Sequence, residues 1–154
     1  MDPLALAEAL EAGVRPVGFG EQETLLVTLA PGILPPLQGV EASPGGTLLV
    51  SRELPPCRFR LAVAHGLAHL ALGHLGEPPS RTDLARGQAL PHDPEAEREA
   101  NALAAALLMP EEIFRQAWRA TGHQSVYALA ALFGVSPKAV VLRAWMLGLE
   151  PLLP

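Results

Sequence analysis

The chain has 154 residues, 49% of them apolar and 18% charged, and a formal net charge of −5. That is too apolar for a disordered chain and enough for one packed core. The acidic balance argues against a general nucleic-acid coat, whose affinity comes from Lys and Arg on phosphates. A single cysteine, Cys57, excludes an internal disulfide framework and fits a reducing compartment. No apolar run reaches the roughly 18 residues of a membrane span. The start, MDPLALAEALEAG, is acidic where a secretory leader is basic. A cytoplasmic protein with no membrane contact is the expectation.

In chain order, Pro3 to Ala12 reads as a short helix closed by Gly13. Val14 to Phe19 and Glu23 to Leu29 are β-branched-rich runs around Gly20-Glu21-Gln22, which predicts a hairpin. Pro31 to Gly46 is mostly a proline- and glycine-rich connection, and Thr47 to Ser51 (TLLVS) reads as a third strand. Arg58 to Leu75 is apolar nearly all the way round, as in a helix buried on most sides, with Gly76 as its stop. Glu77 to His92 is a polar, turn-rich loop. Asp93-Pro94-Glu95 supplies an N-cap, a proline at the first helical position and an acid at the positive end of the dipole. That helix runs to Met109, and Pro110 opens the next, Glu111 to Ala120. Ser125 to Phe133, a turn at Gly134-Val135, and Pro137 to Leu147 capped by Ser136 make a helix-turn-helix pattern. The fold class is α+β, mostly helical with a small, mainly antiparallel sheet. A boundary near Pro110 separates residues 1–110 from a helical segment, 111–154.

His65 and His69 are four residues apart, about 40° around a helix axis. Both imidazoles can then point at one spot, as two ligands of a divalent metal do. Packed or exposed histidine pairs share this spacing, so it decides nothing alone. His74 is half a turn round and is expected at the helix end, bonding the last carbonyls. On the later helix Glu97, Asn101, Ala104 and Leu108 form one stripe. Its small residues would let two helices approach closely and bring Glu97 within reach of the histidines. Glu97 could equally be one of several solvated first-turn acids. Glu99 lies about 200° further round that helix.

RFRLAVAHGLAHLALGH followed by EREANALAAALLMP resembles the ImmA/IrrE family of zincin-like metallopeptidases. Members show an RF-x-LAHE-x-GH-x-x-x-GH stretch, then E-x-x-AN-x-FAA-x-LLMP. The tail VYALAALFGVSPKAVVLRAWMLGL is similar to the family's closing segment, and the likeness covers about Thr47 to Leu149. The resemblance implies a zincin-like metallopeptidase-type domain over 1–110 and zinc as cofactor. It places the metal ligands on His65, His69 and Glu97. Three protein ligands with an open fourth position is the arrangement of a catalytic zinc.

One position departs from the family pattern. The residue after the first metal histidine, a glutamate in active zincins, is Gly66 here, so the motif reads HGLAH. That glutamate is the general base and not a ligand. Its loss would spare metal binding and remove roughly 10²- to 10⁴-fold of rate. Gly66 reads either as drift at a position no longer under demand or as room cleared beside the metal for another group. Glu53, His92, Glu95 and His123 titrate, but none is evidently a replacement base.

The second tail helix, SPKAVVLRAWMLG, offers only Ser136, Lys138 and Arg143 as polar contacts, too few for a reader of base edges. DNA is therefore not the expected partner. The resemblance implies a helix-turn-helix repressor as substrate or binding partner, in a stress or mobile-element response. The leading expectation is a zinc-binding family member with impaired or absent peptidase activity. An active peptidase using another base, and a DNA-binding regulator, are the alternatives.

Overall fold

A computed structural model describes residues 2–18, 26–32, 39, 41–74, 93–121 and 125–149. Helix α1 (Pro3–Ala9) begins at Asp2, whose carboxylate accepts from the Leu4 N–H at 3.0 Å, with Pro3 in the first turn. It ends at Leu10, because Glu11 enters a left-handed turn and its carbonyl accepts from Gly45.

Three strands follow, β1 (Gly13–Val17), β2 (Leu26–Leu29) and β3 (Thr47–Ser51). The expected hairpin between β1 and β2 does not form. The order is β1-β3-β2, with β1 parallel and β2 antiparallel to β3, so the sheet is mixed rather than mainly antiparallel. Burial explains the order. Every residue of β3 is buried, so its backbone groups need partners on both sides. Pro16 has no N–H to donate and suits β1 to an edge. Residues 19–25, which held most of the hairpin reading, lie outside the described residues.

Helix α2 (Pro56–Leu72) crosses the sheet and buries Val63, Ala64, Gly66, Leu67, Ala68 and His69. Only this middle stretch is enclosed, and Leu61 and Leu72 remain exposed. The helix stops three residues before the predicted Leu75. Gly73 adopts φ 68°, which an L side chain resists, and its N–H and that of His74 both reach the His69 carbonyl.

Helix α3 (Pro94–Leu108) starts as the sequence indicates, with the Asp93 carboxylate accepting from the Glu95 N–H at 3.0 Å. Its buried seam is Ala100, Ala104 and Leu108. Asn101, read as part of that stripe, is exposed. Helix α4 (Glu111–Ala120) buries Phe114 and Trp118. Helices α5 (Val126–Phe133) and α6 (Pro137–Met146) are capped by the hydroxyls of Ser125 and Ser136.

Two apolar clusters lie on either side of α2. Leu48, Val50, Val63 and Leu67 join the sheet to α2 and α1. Ala64, Ala104, Leu108, Phe114, Leu129 and Val140 belong to the other, which runs without a break across residue 110. Each large side chain so enclosed contributes about 1.5–3 kcal/mol. Polar ties, one buried and two partly buried, reinforce the second cluster. Arg60 donates to the carbonyls of Phe133 and Gly134, and the Arg143 Nε donates to the Met109 carbonyl at 3.0 Å. Among the described residues no single helix is long and apolar enough to cross a membrane.

Candidate metal centre

The periodicity of α2 puts His65 and His69 on one side of the helix, and the first turn of α3 supplies Glu97. His65 Nε2 lies 3.0 Å from Glu97 Oε2, His69 Nε2 lies 3.0 Å from Glu97 Oε1, and the two Nε2 atoms are 3.0 Å apart. A tetrahedral zinc with bonds of about 2.0–2.1 Å separates its ligand atoms by roughly 3.3 Å. The three donors therefore converge to about the spacing a metal requires. Nitrogen lone pairs and carboxylate oxygens this close repel unless a cation or protons stand between them.

Burial and charge favour the ligand state. Desolvation holds the His69 imidazole below its ordinary pKa, the neighbouring His65 pushes the same way, and Glu97 pulls it partly back up. A neutral imidazole keeps the lone pair a metal needs. The Nδ1 of His69 is buried without a hydrogen-bond partner among the described residues, so nothing there competes for the orientation of the ring. Glu97 keeps a third of its side-chain surface exposed, which leaves the site open to solvent on that side. A two-histidine, one-carboxylate donor set of this kind fits zinc.

The profile of a peptidase family, described as IrrE N-terminal-like domain, matches residues 27–144. The chain belongs to this family. Among curated proteins none matches it. Membership makes this a zincin-like metallopeptidase-type domain, and the matched span contains all three converging side chains.

What distinguishes this IrrE-type site lies next to His65. Gly66 is buried against β3, and a Cβ built on it would stand 2.7 Å from Leu48 Cδ2 and 3.0 Å from Cδ1. Leu48 is itself fully buried. The space directly beside Gly66 is taken by this apolar side chain. Of the other titrating candidates, Glu53 and Glu95 are exposed and stand outside the converging group. His92 and His123 lie outside the described residues.

His74 also departs from its expected role. Its backbone N–H closes α2, but its imidazole crosses to α3, where Nε2 lies 2.9 Å from Glu99 Oε2. Neither this contact nor the Gly66–Leu48 fit left a signal in the sequence. Each joins residues from separate elements whose relative placement no local periodicity encodes.

Proposed function

We propose that the protein is a zinc-binding IrrE-type domain whose peptidase chemistry is impaired or absent. In this reading it works in the cytoplasm by binding, or acting weakly on, a helix-turn-helix repressor in a stress or mobile-element response. His65, His69 and Glu97 would hold the zinc. When bound, the ion supplies Lewis acidity and lowers the pKa of water toward about 7.

The observation that carries the reading is the Leu48 side chain packed against Gly66. A general base there would need a carboxylate within hydrogen-bond reach of the proton it removes. Gly66 supplies no side chain, and Leu48 supplies only methyl groups. Among the described residues the site has the donors for a metal and no carboxylate at position 66, where the missing general base would cost roughly 10²- to 10⁴-fold in rate.

The test is metal content of protein purified without added zinc, beside incubation of the zinc-loaded protein with purified helix-turn-helix repressors. Bound zinc in stoichiometric amount, with a repressor held intact in complex, is the expected result. Repressor cleavage at a rate that Gly66→Glu/Leu48→Ala does not raise would show that another group serves as base.

A further inference from the structure

Glu97 and Glu99 both meet histidines belonging to the α2 end of the fold, although they stand about 200° apart around α3. They do so because they straddle the seam by which α3 packs on α2. Ala100, fully buried, lies about 60° from Glu97 on one side and about 100° from Glu99 on the other. Ala104, also fully buried, continues the seam one turn later and shares a cluster with Ala64 of α2. Alanines make a smooth contact with no long side chains to interlock, so the seam permits close approach but only weakly fixes the roll of one helix on the other.

A metal centre on one edge of such a seam acts as a hinge, and a contact on the opposite edge stops the roll. We propose that the His74–Glu99 pair is a positioning clasp that sets the roll of α3, and with it the distance of the Glu97 carboxylate from His65 and His69. This rests on the reading of those three residues as a metal site.

The way His74 is mounted supports the role. The left-handed turn at Gly73 brings the His74 N–H onto the carbonyl of His69, at 3.2 Å. The His69 and His74 rings then stand edge to face with centroids 5.9 Å apart. His74 Nδ1 is buried with no partner among the described residues, so the contact with Glu99 holds the ring. The clasp is therefore anchored on the backbone of one candidate ligand residue, His69, and grips α3 two residues from another, Glu97. Glu99 is half exposed, and such pairs add little to stability. Its removal can therefore alter the site without unfolding the chain.

The experiment measures zinc affinity of the full chain by competition with a chromophoric chelator, and the visible spectrum of the cobalt(II)-loaded protein. The variants are Glu99→Ala, His74→Ala, their combination, and Glu99→Gln. Each alanine variant should bind zinc about 10- to 100-fold more weakly, the range for groups that orient metal ligands. The combination should be no weaker than the worse single variant by more than about twofold, because both remove one contact. Glu99→Gln keeps an oxygen that accepts from His74 and should stay within about threefold of wild type, with an unchanged cobalt spectrum. The metal-free unfolding midpoint of Glu99→Ala should scarcely move. Zinc affinity within about twofold of wild type in both alanine variants overturns the clasp and leaves the metal reading standing. Weakened affinity matched by an equal loss of metal-free stability makes the pair an ordinary fold contact and also overturns it. No zinc bound by wild type overturns the metal reading, and the clasp with it.

Discussion

Gly66 and Leu48 should behave as one packed unit, and a double-mutant cycle on the metal-free protein measures this. Replacing glycine by alanine inside a helix ordinarily stabilises by about 1 kcal/mol. At Gly66 the new Cβ would stand 2.7 Å from Leu48 Cδ2, closer than a Cβ tolerates, and 3.3 Å from Cγ, a tight contact, so Leu48 would have to shift. Leu48 is fully buried and has little room to retreat, so overpacking costs about 1–3 kcal/mol. Gly66→Ala should therefore be neutral or destabilising by up to about 2 kcal/mol, despite its better helix propensity. Leu48→Ala alone leaves a cavity and should cost about 2–5 kcal/mol. On that background the clash is gone, and Gly66→Ala should regain its ordinary benefit of about 1 kcal/mol. The coupling is thus about 1–3 kcal/mol in favour of the double variant, read from urea unfolding of the four proteins. Additivity within about 0.5 kcal/mol, with Gly66→Ala stabilising on both backgrounds, would refute the packing argument. The same logic governs activity. Gly66→Glu alone should fail to create a peptidase, whereas Gly66→Glu/Leu48→Ala has room for the carboxylate and should raise repressor cleavage by a factor in the hundreds or more.

Zinc at about 1,000 times its dissociation constant should stabilise wild type by about 4 kcal/mol, seen as a raised melting temperature that a chelator reverses; His69→Ala should abolish the shift, and an equal shift in that variant would place the metal elsewhere. The folded-state pKa of His69 lies below its ordinary 6.5, so the unfolded chain takes up the proton first, and metal-free stability should fall as pH drops through 6.5 until the folded protein also titrates. The slope is at most about 1.4 kcal/mol per pH unit for this proton, and His69→Gln should flatten it; an unchanged slope would remove His69 as the cause. Arg143 is buried on the Met109 carbonyl, so Arg143→Ala should cost about 1.5–3 kcal/mol of stability in thermal or urea unfolding. Lys138, the exposed cation of α6, should be dispensable for binding to any duplex DNA in a mobility-shift assay, and a nanomolar complex lost in Lys138→Ala would contradict this.

Within single elements much of the geometry was legible in the sequence, although α2 ends at Leu72 rather than Leu75 and Asn101 faces outward. Helical geometry relates residues a few positions apart, so the shared direction of His65 and His69 and the place of Glu97 in a first turn followed from spacing alone. Asp93 as cap and Pro94 at the first turn followed from which backbone N–H groups a helix leaves unpaired. Across elements the sequence was silent or misleading. The β1-β3-β2 order answers to the burial of β3 from both sides, a demand that nearest-neighbour pairing of runs does not express. Glu99, about 200° from Glu97, gave no sign of its contact with His74, because helical arithmetic gives angles within α3 but not which of its faces turns inward. Packing of Ala100 and Ala104 chose that face and put an acid on each edge. The Gly66–Leu48 fit is of the same kind. A missing side chain is visible in one line of sequence, but what fills its space is decided by two elements meeting in three dimensions.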